Sequence, residues 1–252
     1  MGIINYSISK GISNNILISG ASSYLGSFLI EHYIDTNCKL TLLANSNTKR
    51  LQKMYKDNDN IQVISTDIRQ LDNFKEQMKK ICKRESFDKV YHLANPSPVN
   101  SNFQELIDVN ITGLNILAEL IVPNMLKIGH GVFITMGSSY FFNPPIKMEL
   151  LNYSIAKAGL MTATRYWGNK FSSDNIQFLC FTPGPINSPL NKTQDIENLI
   201  PPKALIDRMI AIEEFHSKSD VIDIYFKNEG IHHRSLGTEK NISIDRAEET
   251  KA

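Results

Sequence analysis

The stretch "NILISGASSYLGSFLIEHYI", residues 15–34, predicts a β-strand, a glycine-bearing turn and the start of a helix. Its opening run, residues 15–19, is short and apolar, as expected of a buried strand. Gly20 permits the tight turn at which the strand ends, and Gly26 allows the helix to pack closely against the sheet. The N-terminus of that helix presents free N–H groups and a partial positive charge, which together suit a pyrophosphate group. The stretch therefore predicts a dinucleotide-binding turn after the first strand of an α/β sheet.

The rest of the chain repeats this alternation of short apolar runs and longer helical patterns. Further strands are predicted at 39–44, 61–66, 88–94, 131–136, 176–182 and 221–226, and helices at about 25–35, 48–54, 71–84, 103–127, 151–171 and 202–218. Nearly continuous apolar runs are typical of parallel strands that are covered on both faces. We therefore predict a doubly wound parallel sheet in a single three-layer α/β/α domain over 15–229, preceded by an extension over 1–14 and followed by a polar tail over 230–252.

The composition narrows the class of protein. The chain has 252 residues, a formal net charge of +1, 42% hydrophobic residues and 21% charged residues. Such a nearly neutral chain carries no electrostatic footprint for nucleic acid, and we expect no stretch long and apolar enough to cross a membrane. The three cysteines, Cys38, Cys82 and Cys180, are too widely spaced to predict a disulfide framework or a zinc site. We expect a cytoplasmic protein that binds no metal.

The end of the second predicted strand bears on the choice of dinucleotide. The stretch "LLANSNTKR", residues 42–50, places Asn45 and Ser46 where a site specific for NAD usually carries an acidic residue that binds the ribose 2′-hydroxyl. The stretch has no carboxylate that would repel a 2′-phosphate, and the nearby Lys49 and Arg50 are cations that could bind one. The sequence therefore favours NADP(H) over NAD(H).

A tyrosine and a lysine in "LNYSIAKAGL", residues 151–160, suggest a chemical step. Tyr153 and Lys157 lie one helical turn apart on the same face of the predicted helix. A carbonyl that accepts a hydride becomes an alkoxide and needs a proton, which a phenol can donate. A nearby cation favours the phenolate and lowers the pKa of the phenol. The pair makes chemical sense when a nicotinamide dinucleotide lies beside it.

Seven motifs in order resemble those of the short-chain dehydrogenase/reductase family. The resemblance runs from Asn15 to about Ser188, roughly two thirds of the chain. The motifs are "SGASSYLG" (19–26), "TDI" (66–68), "HLAN" (92–95), "VNITG" (109–113), "TMGSS" (135–139), "YSIAK" (153–157) and "TPGPINS" (182–188). Any one of these motifs is weak, but seven in the order of the family are specific. The resemblance implies a Rossmann-type fold that binds NAD(P).

The resemblance also implies roles for individual residues. Tyr153 would act as the acid and base, Ser138 would hydrogen-bond the substrate oxygen, and Lys157 would lower the pKa of Tyr153 and bind the nicotinamide ribose. Asn110 would hold a water that links the lysine to solvent. The cofactor-binding residues implied are Gly20, Ser22, Ser23, Tyr24, Leu25, Gly26, Asn45, Ser46, Asp67, Ile68, Ala94, Asn95, Tyr153, Lys157, Pro183, Gly184, Ile186 and Ser188.

The features of the chain are mixed between two branches of the family. Tyr24 stands where the shorter, single-domain branch has a glycine. Ser23 stands where a glycine is found in the longer branch, which acts largely on nucleotide sugars. The leading hypothesis is an NAD(P)-dependent oxidoreductase that interconverts a carbonyl and an alcohol. A nucleotide-sugar epimerase or dehydratase and a non-catalytic dinucleotide-binding regulatory protein remain alternatives.

Two further expectations concern the substrate side and the assembly. The polar stretch 187–205, with its paired prolines, is predicted to be a lid over a small-molecule substrate. The family commonly pairs through the helices that here carry Asn110 and Tyr153. Apolar residues recur along both helices, and more of them are expected than one face of a sheet can cover. These residues include Leu114, Leu117, Leu160 and Trp167. We therefore expect a homodimer or homotetramer.

Overall fold

A single eight-stranded sheet organises the described part of the chain. The computed structural model describes residues 14–142, 147–189, 199–215, 218–227 and 230–236. The strands are β1 (Asn15–Ser19), β2 (Lys39–Ala44), β3 (Ile61–Ser65), β4 (Lys89–His92), β5 (Gly131–Met136), β6 (Ile176–Pro183), β7 (Asp220–Lys227) and β8 (Gly230–Ser235). Their order is β3-β2-β1-β4-β5-β6-β7-β8. Each neighbouring pair from β3 to β7 is parallel, which confirms the predicted doubly wound sheet.

Helices cover both faces of the sheet. They are α1 (Tyr24–Tyr33), α2 (Thr48–Met54), α3 (Leu71–Cys82), α4 (Phe103–Ile107), α5 (Gly113–Ile128), α6 (Leu151–Lys170) and α7 (Pro202–Phe215). A π-helical segment, Asp108–Thr112, joins α4 to α5, so the helix predicted over 103–127 is one run with a widened turn inside it. Adjacent strand residues point to opposite layers: Ile16 and Ile18 pack with α1 and α7, whereas Leu17 packs with α3 and α5.

The strand β8 corrects the prediction of a polar tail that begins at residue 230. Residues 230–235 pair antiparallel with residues 222–227 of β7. Arg234 Nη2 lies 3.0 Å from Asp223 Oδ2, and the hydroxyl of Ser235 donates to the carboxylate of Asp220. Pairing with β7 makes this polar segment a strand, because the backbone groups of β7 gain hydrogen-bond partners that an uncovered edge would lack. Residues 1–13 and 237–252, the remainder of the predicted extension and tail, lie outside the described residues.

The long helical run corrects the expectation that no stretch is suited to crossing a membrane. Phe103–Ile128 is 26 residues long and contains a window with a mean hydropathy of 1.5, which meets that requirement by length and composition. In the fold, 56% of that window is buried. Leu114 and Leu117 on this run are 0% exposed and pack against the sheet. A core position between the sheet and neighbouring helices therefore accounts for the apolar character of the run.

The residues from which we inferred an oligomer lie inside the monomer, so that part of the argument is wrong. Leu114 and Leu117, like Leu160, are at most 1% exposed. Trp167 is partly buried and donates from Nε1 to Asn115 Oδ1 at 2.9 Å. Its ring stacks on Phe178 of β6. One sheet face and the neighbouring helices thus cover the three leucines fully and Trp167 in part, and the assembly has to be argued from other side chains.

Candidate active site

The parallel strands bring most of the predicted site residues to one edge of the sheet. Gly20 follows β1, Asn45 follows β2 and Asp67 follows β3, while Ala94 and Ser138 follow β4 and β5. Pro183 is the last residue of β6, and Gly184, Ile186 and Ser188 come after it. Because the carboxyl ends of parallel strands share an edge, these residues outline one crevice where the strand order reverses between β1 and β4.

The turn after β1 is built by close backbone approaches. Gly20 has a φ of +79°, and a Cβ at this position would lie 2.5 Å from the backbone nitrogen of Ala94. A Cβ on Gly26 would lie 2.6 Å from the carbonyl oxygen of Gly20. Both glycines are therefore required by space, and Gly20 also by its left-handed conformation. The prediction of a tight turn with a closely packed helix is confirmed.

The N-terminus of α1 is suited to an anion. The hydroxyl of Ser23 caps the helix by accepting from Gly26 N at 3.0 Å, and the first turn of this ten-residue helix contains no acidic residue. Tyr24 is 43% exposed beside this turn, and Ser22 Oγ lies 3.4 Å from Ser46 Oγ after β2. Leu25 packs against the core. Exposed backbone N–H groups and the helix dipole at such an end fit the pyrophosphate of a dinucleotide.

At the ends of β2 and β3, Asp67 has a partner that the sequence analysis missed. Arg69 donates from Nε to Asp67 Oδ1 at 2.9 Å and from Nη2 to Oδ2 at 2.7 Å, and its Nη1 donates to Glu105 Oε1 at 3.0 Å. Hydrogen bonds from Arg69, with a smaller contribution from Asn45, lower the pKa of the Asp67 carboxyl. Ile68 between them is 6% exposed and packs in the core. The sequence does place the cationic Arg69 two residues after Asp67, and this spacing could have predicted the pair.

The four predicted catalytic residues come together from three separate parts of the chain. Ser138 follows β5, Tyr153 and Lys157 lie on α6, and Asn110 lies in the π-helical segment. Ser138 lies close enough to Tyr153 to lower the pKa of its phenol, and Lys157 Nζ donates to Asn110 Oδ1 at 2.9 Å. The Lys157 nitrogen also lies 5.6 Å from the centre of the Tyr153 ring. The four side chains therefore form one connected group at the carboxyl edge of the sheet.

Asn110 contacts Lys157 directly, and the water that the resemblance implies between the lysine and solvent stays a prediction. Asn110 is 0% exposed. Its Nδ2 donates to Leu106 O at 2.9 Å and to Asn95 Oδ1 at 3.2 Å. Asn95 is exposed, so the hydrogen-bonded path from the lysine to the protein surface runs through two asparagine amides.

The protein's own groups shift the pKa values of both members of the tyrosine–lysine pair. Burial raises the pKa of Tyr153 to about 12, and the hydrogen bond with Ser138 acts in the opposite direction. Burial lowers the pKa of Lys157 to about 8. Lys157 Nζ is directed to Asn110 and to Met136 O, at 2.7 Å. The pKa of Tyr153 is thus raised, whereas Lys157 is expected to lower it. That lowering of the Tyr153 pKa stays a prediction for the protein with a dinucleotide bound.

The substrate side is described only in part. Tyr140 donates its backbone N–H to Ser138 Oγ at 3.3 Å, and its ring packs edge-on against Tyr153 with 6.2 Å between centroids. Part of the predicted lid, residues 190–198, lies outside the described residues. At its far end Ile200 and Leu205 are 0% exposed and belong to the core. Packing against the sheet therefore fixes that end of the segment, and the lid over 187–205 stays a prediction.

Comparison with known proteins identifies the class to which this fold and site belong. The sequence matches the short chain dehydrogenase family over residues 14–198. The chain belongs to this family. An uncharacterized oxidoreductase of Staphylococcus saprophyticus is 24% identical over 191 residues, which cover 71% of this chain and 81% of that protein. The 2-dehydro-3-deoxy-D-gluconate 5-dehydrogenase of Bacillus subtilis is 30% identical over 108 residues, which cover 40% of this chain and 42% of that enzyme.

A further relative and two solved structures are also similar to this chain. An uncharacterized short-chain dehydrogenase/reductase of Sinorhizobium fredii is 27% identical, and the chain spans about half of it, 49%. Among solved structures, a 4-hydroxyisoleucine dehydrogenase mutant in complex with NADH and succinate has a TM-score of 0.73 at 20% identity, covering 83% of this chain and 97% of that one. A short-chain dehydrogenase from Sphingobium yanoikuyae in complex with NADPH has a TM-score of 0.70 at 17% identity, covering 82% and 87%. At these identities the structures establish the fold.

Proposed function

We propose that this chain is an NAD(P)-dependent oxidoreductase that interconverts a carbonyl and an alcohol by hydride transfer. The observation that carries the proposal is the connected group of Ser138, Tyr153, Lys157 and Asn110 beside a glycine turn suited to a pyrophosphate. The fold alone does not require a buried lysine that is hydrogen-bonded to an asparagine, next to a buried tyrosine whose pKa a neighbouring serine lowers. Membership of the family and its named dehydrogenases support the same activity.

Each residue has a part in the proposed reaction. A nicotinamide dinucleotide supplies or accepts the hydride when it is bound. Ser138 donates a hydrogen bond to the substrate oxygen and stabilises the charge that develops on it. Tyr153 gives its phenolic proton to that oxygen during reduction and takes it back during oxidation. Asn110 holds the Lys157 ammonium beside the Tyr153 ring, where its charge favours the phenolate.

A panel of carbonyl substrates tests the proposal. The protein is mixed with NADPH or NADH and with 3-oxoacyl thioesters, keto sugar acids, small ketones and nucleotide-linked sugars, and dinucleotide oxidation is followed by absorbance. We expect carbonyl-dependent oxidation in at least one of the first three classes. Conversion of a nucleotide sugar without net dinucleotide oxidation would favour the epimerase or dehydratase alternative. Tight NADPH binding without turnover of any compound would favour the non-catalytic alternative.

We further propose that NADPH binds more tightly than NADH. The exposed Asn45 adds no charge at the end of β2, and Lys49 and Arg50 are exposed on the helix that follows. Introducing a carboxylate by Asn45→Asp places like charge beside both a 2′-phosphate and Asp67, so we expect NADPH affinity to fall by about tenfold or more relative to NADH. Dissociation constants from fluorescence titration measure this preference.

The control for this variant is Asn47→Asp, which makes the same change of charge two residues further on. Asn47 is exposed and has a φ of 56°, a conformation that aspartate also tolerates. We expect this control to change the ratio of the two affinities by no more than about twofold. Equal dissociation constants for NADPH and NADH in the unaltered protein would contradict the preference.

We also propose that the protein forms a homo-oligomer through the outer face of α6. Leu151, Ile155 and Tyr166 are 47%, 46% and 79% exposed, and their spacing places them on one stripe of the helix. Burying such a stripe against a second copy would remove apolar surface from water. Light scattering at micromolar concentration should give at least twice the chain mass of 28.5 kDa, and Ile155→Glu should lower it. A monomer mass for the unaltered protein would refute the proposal.

A further inference from the structure

The buried histidine at the end of β4 bridges two elements of the active-site region. His92 is 1% exposed. Its Nδ1 lies 2.8 Å from Ser19 Oγ, at the end of β1, and its Nε2 lies 2.9 Å from Val109 O in the π-helical segment. Since a carbonyl oxygen can only accept, Nε2 carries the ring proton, and Ser19 donates its hydroxyl proton to Nδ1. The two hydrogen bonds together select one tautomer and one ring orientation.

His92 is a neutral donor under ordinary conditions. Burial lowers the pKa of its ring to about 4, and the positive charge of Lys157 acts in the same direction. The imidazole therefore takes no proton near neutral pH. Its contribution is a fixed N–H group aimed at the backbone, and protonation plays no part in it.

The backbone that receives this hydrogen bond has an unusual turn. In the segment Asp108–Thr112 the N–H of Gly113 bonds to Asp108 O, five residues back, which widens the helix by one residue. A Cβ on Gly113 would lie 2.7 Å from Ile68 Cγ2 and 3.7 Å from His92 Cε1. The helix thus lies close against the end of β4 at this point, and the histidine N–H fixes one carbonyl of the widened turn.

The next residue after that carbonyl presents its side chain to the proposed catalytic lysine. Asn110 Oδ1 accepts from Lys157 Nζ at 2.9 Å, while Asn110 Nδ2 donates to Leu106 O at 2.9 Å. A rotation of the widened turn would move the amide away from the lysine, because Val109 and Asn110 share a peptide unit. A continuous path of contacts therefore runs from Ser19 through His92 and the backbone to Asn110 and Lys157.

We propose that His92 is a positioning residue, which holds the π-helical segment so that Asn110 keeps Lys157 beside Tyr153. The inference rests on the proposed function for its effect on turnover, although the geometry it describes stands by itself. Ser19 assists by fixing the tautomer. A histidine that only fills the core would influence folding stability, whereas a positioning histidine influences the rate of the chemical step and the order of the π-helical segment.

The test compares His92→Leu and His92→Gln with a matched control on the same strand. His92→Leu removes the donor, and a glutamine amide can still donate to Val109 O. The control, Tyr91→Phe, also removes one buried hydrogen-bonding group from β4, because the Tyr91 hydroxyl donates to Glu213 Oε2 at 3.0 Å in the opposite layer of the core. The readouts are kcat and KM for a carbonyl substrate and hydrogen exchange of the backbone over residues 106–116.

We expect kcat of His92→Leu to fall by about 10–100-fold, since a misplacement of about 1 Å at a catalytic group has an effect of this size. KM should change by less than about threefold, hydrogen exchange over 106–116 should accelerate, and His92→Gln should recover most of the rate. Tyr91→Phe should change none of these three readouts, even if its melting temperature falls as far as that of His92→Leu.

Two results would overturn the proposal. One is a His92→Leu protein whose kcat and exchange over 106–116 match those of Tyr91→Phe. The other is a folded His92→Gln protein whose kcat falls by about tenfold or more and whose exchange over 106–116 accelerates, although its amide can still donate to Val109 O. This variant decides the question where His92→Leu does not fold. If the unaltered chain turns over no carbonyl, the proposed function fails, and hydrogen exchange alone then supports or overturns the positioning role.

Discussion

Tyr153→Phe is expected to reduce carbonyl turnover by about 10²–10⁴-fold, the range that a positioned general acid contributes. The phenylalanine ring keeps the edge-on contact with Tyr140, and only the hydroxyl beside Ser138 is lost. The affinity for NADPH should therefore stay within about twofold of that of the unaltered protein, because every other group proposed to bind the dinucleotide remains in place. The chemical step should suffer while binding is preserved.

Single-turnover kinetics at saturating NADPH, together with fluorescence titration of the cofactor, measure the two effects separately. The matched control is Tyr166→Phe, which removes the same hydroxyl from the same helix at a position that is 79% exposed. It should turn over at the normal rate. Activity of Tyr153→Phe within about tenfold of the unaltered protein would remove Tyr153 from the role of the acid.

Lys157→Met is expected to damage cofactor binding and the pH dependence together. The lysine is proposed to bind the nicotinamide ribose, so its loss should weaken cofactor binding by about 1–3 kcal/mol, as for a hydrogen bond from a charged donor. Its nitrogen lies 5.6 Å from the centre of the Tyr153 ring, so we expect its charge to favour the phenolate in the protein with a dinucleotide bound. Alcohol oxidation needs that phenolate. Without the lysine, the rising limb of the pH–rate profile for oxidation should move up by about one pH unit.

The direction of this shift follows from which form of Tyr153 each reaction uses. Removing a nearby positive charge raises the pKa of the phenol, so a higher pH is needed to form the base for oxidation. Carbonyl reduction uses the protonated phenol and should keep its pH profile over the neutral range. Rates of oxidation and reduction between about pH 6 and pH 10, with cofactor dissociation constants at each pH, measure both consequences.

Two further variants separate a specific role for Lys157 from a general effect of charge. Lys157→Arg keeps the charge but not the compact ammonium that reaches both Asn110 Oδ1 and Met136 O, so it should recover activity only in part. Lys170→Met removes an exposed lysine from the end of the same helix and should behave like the unaltered protein. An unchanged pH profile and cofactor affinity in Lys157→Met would require the proposed active site to be withdrawn.

Local patterns in the sequence were enough to predict the elements and the edge of the sheet that carries the site. The bounds predicted for β1, β2 and β5 and for α2 are those that the structure has. Each depends on a short apolar run, a glycine or a helical spacing within a few residues. Parallel strands then place the residues that follow them at one edge of the sheet. The positions of Gly20, Asn45, Asp67 and Ser138 at that edge could therefore be predicted without knowing any long-range contact.

Those local patterns could not predict which side chains pair with residues distant in the sequence. Arg69 on Asp67 and His92 on Val109 are contacts made by residues whose types also occur on ordinary surfaces and in ordinary cores. The outward or inward direction of Leu114 was likewise undetermined, because an apolar residue on a long helix can face the sheet or a second copy. The packing of α3, α5 and α6 on the sheet decides this direction.

By itself, the sequence determined the doubly wound sheet, the glycine turn and the order of the four proposed catalytic residues, because all of these follow from local periodicity and from motif order. Tertiary structure alone decided that polar residues 230–235 become β8 by pairing with β7. It also decided that the helix widens at Asp108–Thr112, where His92 donates to its backbone. Both features depend on hydrogen-bond partners that are distant in sequence, and folding brings those partners together.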